Sequence, residues 1–244
     1  MGNITVSANG MADDTVLISN DIFHLLMLLE LTEYFCHKYG VSLVPEKTIL
    51  QCLKPKSYQD DDEFNPIKIN DHPIPFSSMA ENVGIVRSPN GNETAILSRI
   101  TAHKSALNSV LHTGMAREHR GNPAVGIKVN QLYGLPVLLS GLAVLLLNDQ
   151  DINLIEKTYC ETLRRLMSLN DKTPHPVIYF LSGSLPGSFL LHMQQLTLFG
   201  MITRLKDNIL HRHAFNILNF VTMNKSSWFD QIRRWCLMYS LPHP

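Results

Sequence analysis

The sequence predicts an α+β fold with its strands in the first two fifths of the chain and helices through the rest. Short β-branched and apolar runs separated by turn-forming residues continue to Val86, at a period of two. The turn cluster Pro89-Asn90-Gly91-Asn92 follows, and beyond it apolar residues recur at the helical period almost to the end. The change divides the 244 residues into a mixed part, 1–92, and an all-α part, 93–244.

In the first part, the run Ile4-Thr5-Val6, the turn-forming pair Asn9-Gly10, the paired Asp13-Asp14 and the run Val16-Leu17-Ile18 describe a β-hairpin. Met11 is expected to end one strand and Thr15 to begin the other, which puts both aspartates on the exposed bend. Adjacent carboxylates repel and are costly to keep ionised without a cation or hydrogen-bond donors, so Asp13 and Asp14 suit a divalent-ion platform. An isolated Asp-Asp pair is more often a solvated turn than a metal platform. A helix capped by Ser19 or Asn20 follows, with Ile22, Leu25, Leu26, Leu29 and Phe35 at helical spacing and Gly40 as a left-handed terminator. Its Leu and Met content between 25 and 31 predicts burial on more than one face. Residues 48–53 read as a strand and residues 54–65 as an exposed polar loop. Residues 67–69 and 73–76 form a small hairpin about Asn70-Asp71, and 83–86 a further strand in which Gly84 either allows close backbone approach or relieves packing.

In the second part the spacing predicts helices over 93–116, 123–147, 149–168, 186–206, 208–223 and 228–239, with Pro174 and Pro176 opening a shorter one. The apolar run 135–147 is shorter than the ~20 residues that span a bilayer and reads as a buried helix. Cys36, Cys52, Cys160 and Cys236 are too scattered for a disulfide framework or a paired zinc site and read as reduced core residues. With no secretory signal pattern, the chain is expected inside the cell, in nucleus or cytoplasm, without a membrane partner.

Lys plus Arg and Asp plus Glu both total 21, but they are unevenly placed: residues 1–92 carry 6 against 12, and residues 93–244 carry 15 against 9. An acidic first part suits metal binding and a basic second part suits phosphate contact, although either suits a solvated surface as well. Several chemistries lack support. Ser182, Ser184 and Ser188 have no strand-turn-helix nucleophile setting, no phosphate-binding Gly-Lys-Ser/Thr loop occurs, and His211 and His213, two apart, diverge on a helix.

The string Ala12-Asp13-Asp14-Thr15-Val16-Leu17-Ile18-Ser19, the apolar helix after it and the loop Tyr39-Gly40-Val41-Ser42-Leu43-Val44-Pro45-Glu46-Lys47-Thr48 resemble the palm of reverse transcriptases from non-LTR (LINE-type) retrotransposons. The likeness continues through Val83-Gly84-Ile85-Val86 and more loosely to Pro244. It implies a partial reverse-transcriptase palm over 1–92, made of catalytic hairpin, helix and primer-grip hairpin, then a helical thumb and C-terminal extension over 93–244. The implied activity is RNA-directed DNA polymerisation, in which a primer 3′-hydroxyl is extended by two-metal nucleotidyl transfer.

By the same resemblance Asp13 and Asp14 hold Mg2+ or Mn2+, Lys47 assists departure of pyrophosphate, and Met11 lies beneath the primer end where relatives carry Tyr or Phe. Gly84 belongs to the primer grip, and Lys104, Arg117, Arg120 and Lys128 contact the backbone of an RNA template and DNA primer. Deoxynucleoside triphosphates are the implied substrates. The family's third palm aspartate and its fingers have no counterpart here, so the chain by itself is expected to be inactive. A second reading is a non-catalytic retrotransposon remnant that serves as a weak nucleic-acid-binding or interaction protein.

Overall fold

Two compact units, Met1–Gly91 and Asn92–Pro244, make up the computed structural model, which describes residues 8–11, 14–19, 21–51, 67–82, 85–88, 91–111, 122–206 and 227–242. The architecture is mostly helical with a few short antiparallel strands, broadly α+β, and among the described residues strands occur only before residue 88.

The first unit begins with an antiparallel hairpin, β1 (Ala8–Met11) and β2 (Asp14–Leu17). Asn9 and Gly10 pair with Val16 and Thr15, so they lie in the ladder and not in a turn. Met11 pairs with Asp14, which therefore opens β2 and does not sit on the bend as expected. Helix α1 (Ile22–Tyr39) follows, capped by Asp21 rather than Ser19 or Asn20: the Asp21 carboxylate accepts the His24 N–H at 2.7 Å. Ser19 instead steadies the cap, donating to the Asp21 carbonyl at 2.7 Å. At the other end Gly40 has φ 67°, the Val41 N–H reaches the Cys36 carbonyl and the Gly40 N–H the His37 carbonyl, a Schellman closure.

Leu29 of α1 joins Ile67, Ile69 and Ile74 in the core of this unit, with Leu17, Ile22, Leu25, Leu43 and Leu50 packed against it. Among the described residues, only that face of α1 is covered. Phe23, Met27, Leu31 and Tyr34, one turn apart along the opposite side, stay exposed, Phe23 at 81% and Tyr34 at 68%, which corrects the expectation of burial on more than one face.

After a 3-10 turn at Pro45–Lys47, residues 48–51 form no strand; Leu50 makes a single parallel bridge to Phe76. The reason lies in the partner segment, where Pro73 and Pro75 have no N–H to extend a ladder. Strands β3 (Lys68–Ile69) and β4 (His72–Pro73) close on Asn70 and Asp71, both at positive φ (47° and 64°), the backbone that two-residue hairpin turns require. The Asn70 N–H is held by Glu33 of α1 at 3.1 Å. Strands β5 (Ala80–Asn82) and β6 (Ile85–Arg87) form a third hairpin, so the single strand expected over 83–86 is replaced by two, and Val83 and Gly84 lie outside the described residues. Gln51 ties this hairpin to the preceding segment by donating to the Arg87 and Ser78 carbonyls at 3.0 and 3.2 Å.

The second unit opens with α2 (Glu93–Val110), which buries Ile96, Ile100, His103 and Leu107 along one face. Helix α3 (Pro123–Val129), capped by Asn122 with Pro123 in its first turn, runs through a π turn (Asn130–Gly134) into α4 (Leu135–Leu139). There the helix expected to reach residue 147 stops: Ser140 turns extended and Gly141 adopts φ 75°, leaving a separate 3-10 turn at Leu142–Val144. The path Pro123–Val144 has the length and mean hydropathy, 1.2, of a membrane span, with 33% of it buried; Leu138, Leu139 and Leu142 are in the core.

Helix α5 (Asp149–Leu166) starts with a full capping box, Asn148 accepting the Asp151 N–H while Asp151 accepts the Asn148 N–H, and packs against α2, α3, α6 (His175–Ser182) and α7 (Gly187–Thr203). Helix α8 (Trp228–Met238) lies on α7. Trp235 and Trp228 act as anchors, their indole N–H groups donating to the Gln195 side chain and the Ala143 carbonyl, each at 2.8 Å. Cys36, Cys160 and Cys236 are free and buried as expected, and Cys52 is outside the described residues.

Two histidines are buried in this unit. His103 faces the Gly134 carbonyl with Nδ1 at 2.9 Å, which fixes the proton there, so Nε2 accepts from the Thr162 hydroxyl at 3.0 Å. His192 stacks on Trp235 at 3.7 Å and meets the Tyr239 hydroxyl through Nδ1, while Nε2 has no partner among the described residues. Burial holds both rings below the usual histidine value, with Gly134 partly opposing it at His103 and Glu156 at His192. The unfolded chain then takes up protons first as pH falls. Stability from these groups is full above about pH 6.5 and is lost as pH drops through the folded values. The thermal midpoint should fall by a few degrees between pH 7.5 and 5.5, and His103→Asn combined with His192→Phe should flatten that slope; both are read from melting curves across pH.

Gly134 sits under Asn130 and His103: a Cβ there would collide with the Asn130 amide oxygen and come to 3.1 Å from the His103 ring. Asn130 is fully buried, so its amide would have to shift within the core to make way. Gly134→Ala is therefore expected to lower stability by about 1–3 kcal/mol, despite alanine's helix preference, as measured by denaturant unfolding.

Candidate functional site

The hairpin carrying the aspartate pair is built from the β2 end upward. Leu17 fastens it to the apolar core beside Ile22 and Leu25 of α1, and four rungs lead away from that anchor to Met11 opposite Asp14. Asp14 thus stands at the last described rung, opposite Met11, and Asp13 itself lies outside the described residues. Adjacent carboxylates at positions 13 and 14 are hard oxygen donors, the kind that Mg2+ and Mn2+ take.

Lys47 ends the 3-10 turn, whose carbonyls are closed by the Lys47 and Thr48 N–H groups and by the Thr48 hydroxyl, 3.0–3.1 Å from Val44 and Pro45. Its side chain is exposed. Leu43 and Leu50 on either side of the turn pack on the same core as Leu17, so the hairpin and the Lys47 turn spring from one apolar base. Of the other sequence-derived residues, Gly84, Arg117 and Arg120 lie outside the described residues. Lys104 lies on the exposed side of α2, directly after buried His103, and Lys128 occupies the last turn of α3, also exposed. Both are cations on regular helix, able to present a fixed charge to a phosphate chain.

A polar cluster that the sequence does not single out lies between α5, α6 and the start of α7. The Glu156 carboxylate takes the Ser188 backbone N–H through Oε2 at 2.7 Å and the Tyr179 hydroxyl through Oε1. The Cys160 thiol donates in turn to the Tyr179 oxygen, with Sγ at 2.9 Å. Burial raises the Tyr179 hydroxyl above the usual tyrosine range, and its bonds to Cys160 and Glu156 add to this; burial likewise raises the Cys160 thiol. Both are protonated at neutral pH, so donation runs one way, from thiol to phenol to carboxylate. The legible sign was the i, i+4 spacing of Glu156 and Cys160, which places both on one face of a helix; the partners come from a loop and a helix that pattern alone does not bring near. No family model, curated protein or solved structure matches this chain.

Proposed function

We propose that the chain is the palm-hairpin and helical-thumb portion of an RNA-directed DNA polymerase of the non-LTR retrotransposon kind. The observation that carries the reading is the Met11–Asp14 rung: Asp14, directly after Asp13 in the sequence, opens the second strand of an antiparallel hairpin, and an apolar helix and an exposed lysine turn rooted in the same core follow. Two carboxylates there would hold Mg2+ or Mn2+ for attack by the primer 3′-hydroxyl, and Lys47 would neutralise charge on the departing pyrophosphate. The excess of 15 basic over 9 acidic residues across 93–244 supports binding of the helical unit to an RNA–DNA backbone. The uncovered stripe of α1 is in keeping with a helix that packs on two sides in a larger assembly.

Charge reversal tests the thumb. Glu in place of Lys104, Arg117, Arg120 and Lys128 should weaken RNA–DNA duplex binding, and the log–log salt dependence should become shallower by about one for every phosphate that is no longer neutralised. Affinity unchanged by all four would favour the remnant acting as an interaction protein.

Mn2+ tests the hairpin. Added to the folded protein, it should selectively broaden NMR signals from β1 and β2, and Asp13→Asn or Asp14→Asn should weaken that binding by about tenfold or more, since each removes a charged ligand. Broadening that is equal in the variants would remove the metal assignment.

A further inference from the structure

Helices α5 and α6 bring three different metal-ligating side chains to one point, and nothing in the proposed polymerase reading uses them. Glu156 and Cys160 stand one turn apart on α5, and His175 is the first residue of α6; the carboxylate oxygen, thiol sulfur and imidazole nitrogen all lie within 4.8 Å of one another. We propose that Glu156, Cys160 and His175 form a binding site for one thiophilic divalent ion, Zn2+ by its chemistry, which clips α5 to α6.

The donor set selects the metal. A thiolate and an imidazole favour Zn2+ over Mg2+ or Ca2+, which take oxygen donors. Zn2+ bonds of about 2.0 Å to nitrogen and oxygen and about 2.3 Å to sulfur put tetrahedral ligands about 3.5 Å apart, so the three must draw together by roughly 1 Å. The burial pattern allows it. Cys160 is fixed in the core, whereas Glu156 and His175 are half-buried and approach from the solvent side, giving the ion a way in and their side chains room to turn.

The surroundings already orient the ligands. Oε2 of Glu156 is held by the Ser188 N–H at the head of α7, and Oε1 and the Cys160 sulfur both point at the Tyr179 hydroxyl. A bound ion would take over these two atoms, displace the thiol proton to solvent, and leave a fourth position for water or the Tyr179 oxygen. Because the clip lies wholly within α5, α6 and the first turn of α7, it does not depend on the aspartate hairpin or on nucleic-acid binding.

Co2+ reports such a site directly. The full chain, stripped with a chelator, should bind one equivalent of Co2+ with a thiolate charge-transfer band in the near ultraviolet, and Zn2+ should displace it. Cys160→Ser should abolish the band. His175→Gln and Glu156→Gln should each weaken Zn2+ affinity about tenfold or more; the glutamine at 156 keeps an acceptor for the Ser188 N–H and so spares the fold. Zn2+ should also raise the melting temperature of the unaltered chain and not of His175→Gln. A chain that binds no Co2+, or a band that persists in Cys160→Ser, would overturn the proposal. Zn2+ affinity unchanged from the unaltered chain in both His175→Gln and Glu156→Gln would do the same, leaving a hydrogen-bonded cluster only.

Discussion

The helical unit depends on a constraint placed on α5: its packed face carries polar atoms that must each find a partner. Thr162 meets His103 of α2, Glu156 meets the first turn of α7, and Cys160 meets Tyr179 of α6. A buried polar group left unpaired costs about 1–3 kcal/mol, so each of these bonds excludes other ways of docking that neighbour. Apolar packing of Ile155, Tyr159 and Leu163 supplies the drive, but it is non-directional and would tolerate several arrangements. Gly187 shows how close the approach is, since a Cβ there would come to 3.2 Å from the Tyr159 ring. A second network of the same kind, Gln195 with Gln231 and Trp235, locks α7 to α8 and reaches the Leu145 and Leu147 carbonyls beyond α4.

The first unit is organised differently. It has no comparable polar lock among the described residues and relies on a small aliphatic cluster, to which Leu17 of β2 ties the hairpin. The lysine turn, flanked by Leu43 and Leu50, rests on the same cluster.

What the sequence reveals is what local chemistry determines. The apolar period locates α2, α5, α7 and α8 closely, Gly40 and Asn70-Asp71 take the left-handed backbone their types favour, and the Asn148–Asp151 box starts α5 where it should. Misreadings occur where a remote partner decides. Asn9-Gly10 carries turn chemistry but is paired across β2, and residues 48–51 are apolar enough for a strand but face a segment interrupted by prolines. The apolar run after 135 hides its break because Ser140 and Gly141 interrupt the backbone without interrupting hydrophobicity. The polar locks were beyond local reading altogether, since His103 and Thr162 are 59 residues apart.

The π turn at Asn130–Gly134 bears on how the bundle could change in length. A π turn is an α-helical path lengthened by one residue, so the flanks on either side of it keep the faces they would have without it. Loss of one residue from 130–134 would leave Ile127 before it and Leu138 after it directed at the same neighbours. The same loss inside α5 would rotate everything beyond it by about 100° and carry Thr162 away from His103. Of these two helical stretches the π turn is thus the one that a deletion disturbs less, and it coincides with the place where the buried Asn130 side chain has no hydrogen-bond partner among the described residues.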